Sequence, residues 1–338
     1  MNTKEPSPCY HKRILRCLAA CMLALCVTAC GAPAADESSP AGESSAVQAT
    51  SEAPLFSPRV KKYSLPLSGL TREYRLLLVN DLHLIAENDP QVNEVDRATV
   101  AVRREAFRGP HGTADAYWEK LAPVLDNADA DLIVFAGDMV DYASEQNLTL
   151  LREGLSRIKT PFVYLRADHD TGRWYTDEHM PAEDVTRLHE EMGDNSVLHV
   201  WDLGEMTVVG WNNSTSKMTQ TQADMLKLLS ETTDPAKPMV FITHVPLRPE
   251  ADERLLELSM DDFDGRSLLW GSDCYHTPDE ITAGALSLIY ENKLPVSHVF
   301  AGHLHFAYDG PLTAHCEQHV LAPAFEDNIT IVEFIPEE

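Results

Sequence analysis

Five short apolar runs in this chain break off into aspartate or histidine. The last lies in residues 299–308, VFAGHLHFAY; it leaves its hydrophobic stretch through Gly302 and presents His303 and His305 two positions apart. Before it come RLLLV at 75–79, followed by Asn80-Asp81-Leu82-His83, and DLIVFA at 131–136, followed by Gly137-Asp138-Met139-Val140-Asp141. PFVYL at 161–165 runs into Arg166-Ala167-Asp168-His169-Asp170, and MVFI at 239–242 runs into Thr243-His244. One such ending is an ordinary polar turn after a strand. Five of the fourteen histidines placed this way, His83, His169, His244, His303 and His305, are hard to assign to core packing. Imidazole with carboxylate is a donor set for borderline cations such as zinc, iron and manganese. Asp81 and His83, like His303 and His305, are two apart and point the same way in extended backbone. Gly137 and Gly302 allow the backbone to turn sharply beside the ions. There are enough donors for two of them.

Groups so far apart in sequence meet only if the runs are neighbouring strands. Between them lie stretches with helical spacing, at about 114–127 (Tyr117, Leu121, Val124, Leu125) and near 145–158. Strands alternating with helices predict parallel strands covered on both faces, an α/β arrangement. Such folds gather functional groups at the carboxyl ends of their strands, where all five endings fall.

The N-terminal part is of different material. Lys4, Lys12, Arg13 and Arg16 precede or enter the apolar run at 14–29, which reads as a secretory signal peptide over residues 1–29. The run closes Val27-Thr28-Ala29-Cys30-Gly31, similar to a bacterial lipobox, so Cys30 is the expected lipidation site and lipid-anchored, extracytoplasmic attachment to the bacterial membrane the expected location. Residues 30–54, rich in Ser, Ala, Glu and Pro, lack the apolar side chains needed to offset ordering and read as a flexible tether. A folded domain is expected over 55–338. Of seven cysteines, five lie in the leader; Cys274 and Cys316 in the body are a disulfide or two thiols. With 53 acidic against 27 basic residues the net charge is −26, so no nucleic acid is expected as a partner.

Asp-x-His, Gly-Asp-x-x-Asp, a Gly-Asn-His-Asp-like element, His and Gly-His-x-His, in that order over 75–306, resemble the calcineurin-like metallophosphoesterase superfamily. The resemblance implies two packed β-sheets flanked by helices, a four-layer sandwich, with metals at the strand ends. It implies two divalent or mixed-valence ions, Mn, Fe or Zn, that activate a hydroxide to hydrolyse a phosphate mono- or diester. By motif position one ion falls to Asp81, His83, Asp138 and His305. The other falls to Asp138 as the bridge, Asp168, His244 and His303. His169 takes the catalytic histidine's place, and Asp170 follows it to orient the imidazole. The fourth element departs from the pattern: Ala167-Asp168-His169 stands where the family has Gly-Asn-His. A third carboxylate lowers the positive charge of the loaded centre, which tightens metal binding and weakens the pull on phosphate. A catalytically weak or inactive metal-containing binding lipoprotein is therefore the alternative. Tyr142 sits one position beyond the metal-binding tyrosine of purple acid phosphatases and reads as packing.

Three segments between motifs, 84–113, 171–197 and 247–281, exceed ordinary loop length. Arg103, Arg173 and His276 within them are candidate substrate contacts.

Overall fold

Period-two alternation along the apolar runs decides which sheet face each side chain serves. In the strand Tyr74–Val79, Leu76 and Leu78 point one way and Leu77 and Val79 the other, and all four are buried. A sheet buried on both faces needs a second sheet on one side and helices on the other. That is the architecture seen in the computed structural model, which describes residues 56–172, 180–194, 198–214, 217–263, 265–272 and 277–337. Phe56–Glu338 form one compact unit. The leader, Cys30 and the tether lie outside the described residues.

The first sheet contains β1 (Arg59–Leu67), β2 (Tyr74–Val79), β3 (Leu132–Ala136), β4 (Phe162–Leu165) and β11 (Asn328–Pro336), in the order β1-β11-β2-β3-β4. The second contains β5 (Leu198–Asp202), β6 (Thr207–Trp211), β7 (Met239–Thr243), β8 (Val296–Ala301), β9 (Tyr308–Pro311) and β10 (Glu317–Val320), in the order β5-β6-β7-β8-β10-β9. The central strands run parallel, β2-β3-β4 in one sheet and β6-β7-β8-β10 in the other. β11 is antiparallel to β2, and the edge strands β5 and β9 are antiparallel to their neighbours.

Three apolar clusters separate four layers. Between the sheets, Leu76, Leu78, Val134 and Val163 meet Val208, Val240, Ile242 and Phe300. Outside the first sheet, Leu77, Val79, Ile133 and Phe135 pack on helices Ala114–Leu125, Glu145–Leu155 and Ala182–Glu191. Outside the second, Val209, Phe241 and Val299 pack on helices Gln220–Thr232 and Glu280–Tyr290. The expected four-layer α/β sandwich is therefore the fold of this chain.

The three long segments are not merely loops. They carry helices Arg97–Ala106, Ala182–Glu191 and Glu253–Asp262. The first buries none of its residues, so it has no apolar stripe for the sequence to reveal. Tyr142 is fully buried with Ile85, Val92 and Phe107, a packing position. Cys316 is buried, and burial pushes its thiol up to about 12; Cys274 lies outside the described residues.

Candidate metal centre

Asp81 and His83 follow β2, Asp138 follows β3, Asp168 and His169 follow β4, His244 follows β7, and His303 and His305 follow β8. Each turns off a strand whose carboxyl end lies at the same edge of its sheet, and the two sheets present these edges together. Among the described residues, donor atoms of Asp138, Asp168, His244 and His303 lie within 4.8 Å of one another; Asp81, His83 and His305 form a second such group, and His83, Asp138 and His169 a third. Every metal ligand expected from the sequence belongs to one of these groups; Asp138 is shared by the first and third, and His83 by the second and third.

The backbone is bent to make this possible. Asp81, His83, Asp138, His303 and His305 all have positive φ, between 48° and 69°. Residues other than glycine rarely adopt this region, and such strain collects at functional sites. Gly137 (φ 87°) has a different reason to be small: a Cβ there would stand 2.6 Å from His244 Nδ1 and 2.8 Å from Ala167 Cβ. Gly137→Ala is expected to destabilise the fold by about 2 kcal/mol, combining left-handed strain with overpacking, and to lower metal retention by displacing His244. Urea unfolding with metal analysis of the same sample measures both.

Contacts at Nδ1 turn Nε2 of His244 and of His83 inward. His244 Nδ1 lies 2.9 Å from the Ala136 carbonyl, which only accepts, so Nδ1 carries the proton and Nε2 faces the Asp138 carboxylate at 3.2 Å. His83 Nδ1 meets Asp141 Oδ1 at 3.2 Å, and its Nε2 lies 3.0 Å from His305 Nε2. Two imidazole nitrogens that close accommodate a shared proton or a shared cation. A neighbouring carboxylate or carbonyl on the remote nitrogen is the usual support for a metal-binding histidine.

Charge is concentrated and buried. Asp81, His83, Asp138 and His244 are almost completely inaccessible. Asp138 Oδ1 has no hydrogen-bond partner, a costly state for a buried carboxylate oxygen unless a cation meets it. Burial opposes ionisation of Asp138, but the His244 and His169 charges hold its carboxyl well below the usual range. Burial alone would lower His244 and His169; the Asp138 carboxylate reverses this and takes each to about 10. His83 goes the other way, down to about 4, because burial outweighs Asp141 and Asp138. This donor set and its orphaned oxygen fit a pair of divalent cations.

The supporting groups differ in part from expectation. Asp170 does not reach the His169 ring. Its carboxylate accepts from three backbone N–H groups, Asp138 (2.9 Å), Val140 (2.9 Å) and Ala167 (2.7 Å), and so braces the loop that carries Asp138. His169 Nδ1 instead donates to the Asp141 carbonyl at 2.8 Å, with the Asp141 carboxylate 3.4 Å away. Arg103, expected over the substrate, lays its guanidinium on the buried Asp141 carboxylate, with Nε at 3.1 Å, and over the Phe107 ring. Arg173 and His276 lie outside the described residues. Asn213 gave no signal in the sequence: its Oδ1 accepts from the His244 and Val245 N–H groups and its Nδ2 donates to the Val245 carbonyl, fixing the turn that aims His244.

A buried dimetal-type donor set at the strand ends of a helix-flanked double sheet defines a metallophosphoesterase. The chain belongs to the calcineurin-like phosphoesterase family, whose sequence profile matches residues 74–307. This is a dinuclear-metal-dependent family of phosphoric ester hydrolases, so the substrate is a phosphate ester. Similar solved structures include a dimetal phosphatase from Danio rerio (11% identity, 75% of this chain and 88% of that one, TM-score 0.48). A purple acid phosphatase from yellow lupin seeds is also similar (11% identity, 79% of this chain and 45% of that one, TM-score 0.44). No curated protein matches this sequence.

Proposed function

We propose that this chain hydrolyses phosphate mono- or diesters outside the cytoplasm, tethered to the membrane through lipidated Cys30, with two Mn, Fe or Zn ions. The observation that carries the hydrolytic part is the closeness of the two donor groups, Asp138 belonging to one and lying 3.7 Å from His83 Nε2 of the other. Asp81, His83, Asp138 and His305 would hold one ion, and Asp138, Asp168, His244 and His303 the other. When bound, such ions supply Lewis-acid charge at phosphoryl oxygens and make water acidic enough to furnish a nucleophile near neutral pH.

The remaining work falls to the protein. His169 is anchored through Nδ1 on the Asp141 carbonyl, which fixes the ring and directs Nε2 away from that anchor. A protonated imidazole there suits donation to the leaving alkoxide. Cations held by Asp138 would offset the charge that raises His169 and so lower the imidazole's pKa. Asp81 Oδ2 accepts from the His303 N–H at 2.9 Å and from Asn80 Nδ2 at 2.6 Å, which orients its carboxylate. The leader and lipobox-like sequence support the location.

The full chain solubilised from membranes is expected to cleave p-nitrophenyl phosphate or its bis ester with one of these metals and to stop in EDTA. No turnover with any metal on a broad ester panel would reject hydrolysis. Cys30→Ala should move the protein out of the membrane fraction; persistence there rejects the anchor. Asp168→Asn is expected to stay active while losing metal roughly tenfold more readily, since it keeps one donor oxygen but not the charge. Chelator competition reads this, and unchanged affinity removes Asp168 from the ligand set.

A further inference from the structure

A second group of donors lies away from this edge. His298 is on β8, three residues or about 10 Å of strand before its end at Ala301, and His303 lies beyond that end. Glu317 and His319 are on the parallel neighbour β10, where Glu317 pairs with His298 and His319 with Phe300. In parallel strands these residues share one face. Asp309 on β9 stands opposite His319. His298 and His319 are buried, at 8% and 2% exposure, and Glu317 is exposed at the rim.

His298 Nδ1 lies 3.2 Å from His319 Nε2, and a carboxylate oxygen of Glu317 completes a set within 4.8 Å. Two nitrogens bound tetrahedrally to zinc at 2.0–2.1 Å are about 3.3 Å apart, so the pair needs almost no movement to chelate. The tautomer is already suitable. His319 Nδ1 lies 2.8 Å from Asp309 Oδ1, and a carboxylate only accepts, so Nδ1 carries the proton and Nε2 presents its lone pair to His298. Asp309 is immobilised by Tyr63 Oη at 2.6 Å and Lys61 Nζ at 3.0 Å, both from β1 of the other sheet. The His319 ring stacks on Phe300 and is edged by Tyr63. A carboxylate that orients a histidine, itself fixed by further bonds, is how metal-ligating imidazoles are supported.

We propose that His298, His319 and Glu317 form a third, mononuclear site for a borderline divalent cation of the zinc class, with Asp309 as the positioning carboxylate. Two histidines and one carboxylate leave a fourth position for water on the Glu317 side. The ion would replace the proton shared by the histidines. It would join β8 to β10 directly, and β1 through Asp309. The site does not depend on the hydrolytic reading above.

The test uses the full chain loaded with zinc and freed of excess, with zinc per chain measured by mass spectrometry. Wild type is expected to hold one zinc more than His319→Gln, while ester hydrolysis by the variant stays within about twofold. The same one-zinc difference is expected in an Asp138→Asn background, which separates this site from any failure of the dinuclear centre. Glu317→Gln, an exposed change that leaves packing intact, should weaken that zinc about tenfold or more, and Asp309→Asn by about 10- to 100-fold. Those two decide the matter if His319→Gln does not fold. Equal zinc content in wild type and His319→Gln, or wild-type zinc affinity in both Glu317→Gln and Asp309→Asn, overturns the proposal.

Discussion

Asp138→Asn is expected to lower kcat/KM for ester hydrolysis by at least about 10³-fold and to leave the chain short of bound metal, with little change in folding. The first part follows from position. Asp138 Oδ2 is 3.2 Å from His244 Nε2 and 3.7 Å from His83 Nε2, so one carboxylate serves both donor groups. Loss of its charge leaves each group short of a ligand and removes the negative charge that two neighbouring cations require between them. Removing a single preorganised electrostatic group already costs about 10²–10³-fold in other active sites, and this change impairs two centres together. The second part follows from shape. Asparagine fills the same volume and tolerates φ near 52° as readily as aspartate, so the turn after β3 survives. Without metal, the variant loses the attraction between the Asp138 carboxylate and the His244 and His169 imidazoles that keeps this carboxyl ionised. Thermal unfolding in EDTA should therefore show Asp138→Asn folded but modestly less stable than wild type. A folded, metal-poor, inactive protein is the expected combination, and a variant retaining a tenth of wild-type activity would remove Asp138 from the bridging position.

The strands that carry the ligands were legible because each is a short run of large apolar residues buried on both faces, and β3 and β7 are buried at every position. The edge strand β1 and the short β10, next to the edge strand β9, were not. β1, RVKKYSLPL, alternates exposed and half-buried positions and puts lysines in a row; β10, EQHV, has only four residues, three of them polar or charged, with Glu317 exposed. Such strands owe their conformation to a neighbour distant in sequence, β11 for β1 and β8 for β10, which no local pattern encodes. The same limit applies around the metals. Residue type and spacing exposed the ligands, since histidine and aspartate at a strand end are chemically conspicuous. The bracing groups are ordinary residues whose task is set by distance in space: Asn213 acts on a turn 31 positions away. Asp170 was conspicuous but misassigned, because adjacency to His169 along the chain does not bring its carboxylate to that ring; the three N–H groups of two converging loops claim it first. The left-handed conformations at five ligand positions were equally invisible, because neither aspartate nor histidine announces them.

Asp141→Ala is expected to reduce hydrolysis by more than about 10²-fold and to destabilise the protein by about 3 kcal/mol, although Asp141 is not expected to touch either ion. Its carboxylate is fully buried and meets the Arg103 guanidinium and His83 Nδ1, with His169 Nδ1 3.4 Å away. Burial would raise its pKa, but Arg103 first, and then the two histidines, hold it well below the usual carboxylate range. Each partner loses something different in the alanine variant. The Arg103 side chain, only 22% exposed, loses the Asp141 carboxylate beside its charge, and removing one member of a largely buried pair accounts for most of the stability loss. His83 loses the acceptor that fixes its proton on Nδ1, so the tautomer that aims Nε2 at His305 is no longer enforced. His169 keeps its bond to the Asp141 carbonyl, because the backbone is unchanged, and loses the weaker contact with the carboxylate 3.4 Å from Nδ1. Weakened metal affinity should therefore contribute more to the activity loss than a misplaced His169. This division can be measured. Saturating metal should recover a substantial part of the activity of Asp141→Ala, but none of that of His169→Ala, in which every metal ligand remains. Double substitution of Arg103 and Asp141 to methionine and alanine should restore part of the stability, because both members of the pair are then apolar, without restoring metal affinity. If added metal leaves Asp141→Ala as inactive as before, the carboxylate acts on the reaction through His169, and its assignment as the support of His83 fails.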